Sequence, residues 1–176
     1  MTKILLIGPQ GSGKSTQGKL LAEFLQVPYI STGDIFRQIA AQATTEGQKI
    51  KQIIESGNLV DDQTTAKLLQ DRIEKDDCNK GFILDGYPRN LEQVRLIPNL
   101  NFDKVLYINV LEQVVVERLL KRGRLDDTEE GIKLRLNLYT EQTQPLLDYF
   151  KSKGILIEVS GIGDIQTVQD EIKKSL

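Results

Sequence analysis

The sequence predicts an α/β protein built on a phosphate-binding loop, with a five-stranded parallel sheet flanked by helices on both faces. Three observations predict it. Gly8-Pro9-Gln10-Gly11-Ser12-Gly13-Lys14-Ser15 spells a complete G-x-x-x-x-G-K-S loop close to the N-terminus. An apolar run at residues 4–7 precedes the loop and a helically spaced run at 15–26 follows it, the strand–turn–helix setting such a loop requires. Apolar strand-like runs then recur between helical ones, at 27–30, 82–84, 105–110 and 155–159. That alternation implies parallel strands joined by right-handed crossovers.

Ile4-Leu5-Leu6-Ile7 reads as a buried strand. The glycine-rich turn after it aims backbone N–H groups and the positive end of a helix dipole at one point, a geometry that fits polyphosphate. In it Lys14 would reach the β- and γ-phosphates and Ser15 would hold Mg2+. Leu20, Leu21, Phe24 and Leu25 give the following helix its apolar side. The second strand leads into Ser31-Thr32-Gly33-Asp34, at the carboxyl end where such sheets bind nucleotides.

From Asp34 to Val60 the alternation lapses. Ile35, Ile39 and Ala43 form one helical stripe, and Ile50, Ile53 and Ile54 another that ends at Ser56-Gly57. Two helices with no strand between them suit an excursion that closes over a second substrate, or simply a long αα crossover. Asp61-Asp62 then caps a helix through Ala66, Leu69 and Ile73. The third strand ends in Asp85-Gly86-Tyr87-Pro88-Arg89, where Asp85 could orient Mg2+, directly or through water, or start the turn. After the fourth strand a helix carries Leu111, Val115 and Leu119 on one face and Arg118 and Arg122 on another, until Gly123 ends it. Asp126-Asp127 with Glu129-Glu130 reads as an acidic helix start, and that helix passes through Ile132, Arg135, Leu136 and Tyr139 and bends near Pro145.

The 176 residues suffice for one domain with a real core, and a net charge of −2 offers no footprint for nucleic acid or an anionic membrane. No apolar run approaches the ~20 residues of a membrane span, and the N-terminus enters a strand at once. A cytoplasmic protein is expected. With one cysteine and no histidine there is no internal disulfide, no ligand set for structural zinc and no histidine general base. Phosphate chemistry run by Lys, Arg, Asp and Mg2+ is the natural alternative. Phosphoryl transfer needs in-line positioning and several cations, and Arg37, Arg89, Arg118, Arg122, Arg124 and Arg135 fall near strand ends or in the helices after strand four.

Taken in order, Ser31-Thr32-Gly33-Asp34, Asp85-Gly86-Tyr87-Pro88-Arg89, and Arg118-Leu119-Leu120-Lys121-Arg122-Gly123 followed by Arg124-Leu125-Asp126-Asp127 resemble the motif series of the nucleoside monophosphate kinases, and most of all the adenylate kinase family. The likeness covers nearly the whole chain. It implies a P-loop kinase spanning residues 1–176, with a helical NMP-binding insertion at 31–60, reversible transfer between ATP and AMP with Mg2+, and a monomer that meets only small nucleotides. By position, Gly11, Ser12, Gly13, Lys14, Ser15 and Thr16 match the ATP phosphate cradle, joined by Arg118, Arg122 and, more distantly, Gly163. Thr32, Arg37, Asn58, Leu59, Val60, Gly86, Tyr87, Pro88, Arg89 and Gln93 match the AMP site. Arg124 and Arg135 match the pair that bridges both substrates; with Lys14, Arg89 and Arg122 they make the catalytic set, while Ser15 and Asp85 serve the metal.

The uridylate/cytidylate kinase branch is also similar, and Asn90 is reminiscent of it, but that branch usually carries Ala in place of Thr32 and Asn in place of Gln93. A glutamine amide suits the acceptor–donor edge of a purine, which favours AMP. Beside these stands a non-catalytic nucleotide-sensing module. A GTPase would need an Asn-Lys-x-Asp motif, which Asn79-Lys80-Gly81-Phe82 fails at its last position. One departure from the family is plain: only Gly123 separates Arg122 from Arg124, so the lid is reduced to a vestigial turn at 122–128. Poorer shielding from water and some loss of ATP to hydrolysis follow as expectations.

Overall fold

Five strands, Thr2–Ile7 (β1), Tyr29–Ser31 (β2), Gly81–Asp85 (β3), Lys104–Asn109 (β4) and Leu156–Ser160 (β5), lie parallel in the order β2-β3-β1-β4-β5. The computed structural model describes residues 2–56, 58–123 and 127–176. Residues of β1 alternate between the two faces of the sheet. Ile4 and Leu6 join Leu21, Val115, Leu119 and Ile172 in one core, and Leu5 and Ile7 join Ala66, Leu69, Leu146 and Phe150 in the other. With apolar partners on both sides, a continuous apolar run is what a central parallel strand requires.

The helices are Lys14–Leu25 (α1), Thr32–Ala40 (α2), Thr45–Glu55 (α3), Asp62–Ile73 (α4), Leu91–Leu96 (α5), Glu112–Arg122 (α6), Glu129–Leu138 (α7), Pro145–Ser152 (α8) and Ile165–Ser175 (α9). Most start where the side chain of the preceding residue accepts a backbone N–H. Ser31 caps α2, Thr44 caps α3, Asp61 caps α4 and Asn90 caps α5. The excursion between β2 and α4 has a core of its own, in which Phe36, Ile50 and Val60 pack with Ile39, Ile53, Ile54 and Leu68.

Several boundaries differ from the periodic reading. Val27 and Pro28 belong to the turn after α1, because the chain leaves the helix through a left-handed Gln26, and β2 begins only at Tyr29. Ala43 falls beyond the end of α2, and its stripe stops at Ile39. Before Pro145 the helix passes into a π-helical stretch, Tyr139–Thr143, which widens the turn, and the proline then opens α8 as a separate helix. The acidic helix start holds in Glu129 and Glu130, which lie in the first turn of α7. Thr128 caps α7, accepting the N–H of Gly131, and Asp127 is freed for another task; Asp126 lies outside the described residues.

Candidate functional site

At the carboxyl ends of the strands the cross-strand register sets Asp85 beside both Ser31 and Leu6. The loop after β1 passes Gly13 at a φ of 98°, a left-handed position suited to glycine, and enters α1 with no side-chain cap. The first N–H groups of α1 are thereby left for an anion. Lys14 curls back over the loop and donates from Nζ to the carbonyls of Gly8 at 2.6 Å and Pro9 at 2.8 Å. Burial pushes its pKa below the ordinary lysine value; the charge of Asp85 opposes that shift, and Arg89 and Arg122 add to it.

Asp85 ends β3 with 6% of its surface exposed. Its Oδ2 accepts from Ser15 Oγ at 3.0 Å and from the Tyr29 hydroxyl at 2.7 Å. Ser15 and Asp85 are hard oxygen donors, and both line the cleft. Two such groups suit a cation that keeps most of its water and takes its other ligands from phosphate, as Mg2+ does. Among the described residues no cluster of three or more His, Cys, Asp or Glu side chains could hold a metal ion.

The turn after β3 runs through a cis Tyr87–Pro88 bond. At Gly86 a Cβ would stand 2.5 Å from Thr32 Oγ1, a buried atom with no hydrogen-bond partner among the described residues, so only glycine fits against that threonine. Arg89 donates from Nε to the Gly86 carbonyl at 2.9 Å. Burial lowers the pKa of its guanidinium, Asp85 opposes the shift, and the neighbouring charges of Arg37 and Arg135 add to it. The Gln93 amide is engaged at both ends, Oε1 accepting from Arg89 N and Nε2 donating to Asp62, each at 2.7 Å.

Two acidic residues hold three of the remaining arginines. Asp127, its side chain fully buried, takes Arg122 through Nε at 2.8 Å and a terminal nitrogen at 2.7 Å, and Arg135 at 3.0 Å. Asp34 holds Arg37 one helical turn away. Arg118 differs from both. Its guanidinium donates to backbone carbonyls, Gly161 at 3.0 Å and Gly11 at 3.4 Å, and so braces the phosphate loop.

One cleft of about 520 Å3 gathers most of the expected residues. Gly11 to Thr16, Arg37, Leu59, Asp85, Gly86, Pro88, Arg89, Arg118, Arg122, Arg135 and Gly163 line it. Thr32, Asn58, Val60, Tyr87 and Gln93 do not; Tyr87 and Gln93 line a separate apolar cavity of about 300 Å3 with Ile97 and Phe102. The reach of Gln93 toward a base in the cleft is therefore an expectation this geometry does not meet, because Asp62 and Arg89 occupy its amide. Arg124 lies outside the described residues. The sequence reading missed Asp127, Asp34, Asp62 and Tyr29 as partners of the site. Asp34 and Asp127 carried a signal, each an acid a few positions from a basic residue.

The chain matches the family model described as Adenylate kinase over residues 6–155. It is 40% identical over 186 residues to an adenylate kinase of Clavibacter michiganensis subsp. michiganensis, covering 100% of this chain and 93% of that protein. It is 41% identical to adenylate kinase 1 of a Nostoc species, covering 100% of this chain and 99% of the relative. An adenylate kinase of Bifidobacterium longum is 42% identical, with 97% of each chain covered.

Proposed function

This chain belongs to the adenylate kinase family, and from that premise we propose which of its residues perform the family reaction. It is an enzyme, a phosphotransferase that moves the γ-phosphate of ATP reversibly to AMP and so interconverts ATP plus AMP with two ADP. The uridylate/cytidylate and non-catalytic readings are not favoured, since relatives along the full length carry the adenylate kinase name.

In our reading the loop at Gly11 to Thr16 cradles the ATP phosphates with its N–H groups, and Lys14 leaves the Gly8 and Pro9 carbonyls to follow the γ-phosphate. Arg118 holds the loop in shape and Gly163 borders the nucleoside end of that nucleotide. Residues 31–60 form the arm that carries AMP, with Arg37 and Arg89 meeting its phosphate and Leu59, Gly86 and Pro88 enclosing it. Thr32, Val60, Tyr87 and Gln93 support that wall from behind, Asn58 stands exposed beside Leu59 to meet the nucleotide, and Gln93 reads the base only after its amide leaves Asp62. Arg122 and Arg135 collect charge from both nucleotides, with Arg124, outside the described residues, as their third member, and the short segment 122–128 stands in place of a lid. Ser15 and Asp85 would hold Mg2+, which when bound neutralises phosphate charge. Transfer itself asks little covalent work of the protein, so positioning and fixed positive charge carry the rate. We further propose a cytoplasmic monomer; among the described residues no helix is long and apolar enough to cross a membrane.

The observation that carries this reading is the convergence of Lys14, Arg37, Arg89, Arg122 and Arg135 on one cleft, close enough that Lys14 feels Arg89 and Arg122 while Arg89 feels Arg37 and Arg135. Initial rates with AMP, UMP and CMP under saturating ATP test it. AMP is expected to be the fastest acceptor; faster turnover of UMP would overturn the assignment of the acceptor site.

A further inference from the structure

We propose that Tyr29 is a positioning residue for the transfer site, its half-buried hydroxyl fixing the Asp85 carboxylate in the orientation that serves the metal-bearing phosphates. The inference rests on the roles given above to Asp85 and Ser15.

Both hydrogen bonds that Asp85 accepts fall on one oxygen. Oδ2 takes Ser15 Oγ and the Tyr29 hydroxyl, while among the described residues no hydrogen bond reaches Oδ1. The two donors are not equivalent. Ser15 lines the cleft, and a hydroxyl that turns to a cation turns its proton away from the carboxylate. Tyr29 stands outside the cleft lining, so its bond is the one that persists when the site fills. The carboxylate needs such a tether, because the charges of both Lys14 and Arg89 bear on it. Released from Oδ2 it would swing toward one of these cations, cancel charge meant for phosphate, and desert the metal.

The ring is placed with care. Tyr29 lies on β2 two residues before Ser31, whose cross-strand partner is Asp85, so a long side chain on that face reaches the carboxylate diagonally. Above the ring α1 carries Gly18 in its interior, where glycine is less favourable than alanine. A Cβ there would stand 2.7 Å from the Tyr29 ring and 2.5 Å from Leu6. The glycine makes room for this ring and for Leu6.

Tyr29→Phe keeps the ring and removes the tether. Thermal shift of the ATP-loaded protein, titrated with Mg2+, gives a readout apart from turnover. The Mg2+ midpoint should rise about tenfold and kcat should fall by about the same factor, as for loss of one hydrogen bond to a charged group. Affinity for ATP without metal, and the KM for AMP, should stay within about twofold of wild type. A lower melting temperature with an unmoved Mg2+ midpoint would mark Tyr29 as packing alone and overturn the proposal. Asp85→Asn separates the two levels of inference. If it moves the midpoint and Tyr29→Phe does not, only the tether is wrong; if Asp85→Asn is silent too, the metal role of Asp85 falls and the tether with it.

Discussion

The cations of the cleft are held in two ways. Beside the strands, neutral carbonyls hold them: Lys14 lies on Gly8 and Pro9, Arg118 on Gly161, and Arg89 on Gly86. On the arm and after α6, carboxylates hold them: Arg37 sits on Asp34, and Arg122 and Arg135 share Asp127. A carbonyl dipole orients a cation and leaves its charge intact, whereas a carboxylate offsets that charge until a stronger anion competes. The first wall is thus charged in advance of any nucleotide. The second gains full charge only as phosphate draws its arginines from their acids. The apolar packing follows the same division, with β1 buried in cores on both of its faces and the arm resting on Phe36, Ile50 and Val60.

Breaking the first wall should have the largest effect. Lys14→Ala is expected to lower kcat/KM by about a thousandfold or more, since it deletes a cation aimed at the moving phosphate. ADP formation in a coupled assay measures it, and a loss below about tenfold would move the phosphate site elsewhere. Breaking the second wall should cost less in rate and more in stability. Asp127→Asn leaves two guanidiniums without their buried counter-charge, and we expect kcat/KM to fall about thirtyfold and stability by about 3 kcal/mol. Denaturant unfolding alongside kinetics separates the two losses. Unchanged stability would mean that other groups hold Arg122 and Arg135 in place.

That contrast also explains what could be read from the chain. The preformed wall is local: Ile4-Leu5-Leu6-Ile7, the loop and Lys14 adjoin in sequence, and loop chemistry with a periodic flank identifies them together. Partners across the fold leave no such trace. Tyr29 lies 56 positions from Asp85, and on a strand it reads as one more aromatic core residue. Asp62 lies 31 positions from Gln93, so the identity of Gln93 was legible while the state of its amide was not. Asp127 was visible as an acid near a helix start, while its bonds to Arg122 and Arg135 were not. An acid just before a helix satisfies the dipole argument, and Thr128 took the cap because its hydroxyl reaches the Gly131 N–H.

A smaller effect sharpens the comparison in the opposite direction. Asp34→Asn frees Arg37 from a half-exposed partner, and we expect KM for AMP to fall by about threefold with kcat little changed. Steady-state kinetics over a range of AMP concentrations at saturating ATP would check this. A raised KM would show that Asp34 orients Arg37 rather than competing for it.

The smallest expected effect is a fraction of a proton. Burial lowers the pKa of Lys14 in the folded protein, and Arg89 and Arg122 deepen the shift against the pull of Asp85. At a pH above that lowered value and below the ordinary 10.5, Lys14 is partly neutral in the folded protein and still charged in the unfolded chain. The unfolded state then binds more protons, so the contribution of Lys14 to stability rises with pH through this window. Activity should move the other way, since a neutral amine cannot follow phosphate. A polyphosphate on the loop supplies negative charge beside Nζ and raises the pKa again, so ATP binding should take up protons in this window. Calorimetric titration with ATP in alkaline buffers of different ionisation heat measures the uptake. Heats independent of the buffer, or an uptake that survives in Lys14→Ala, would mean that the ammonium stays charged on the loop and that its neighbours do not tune it.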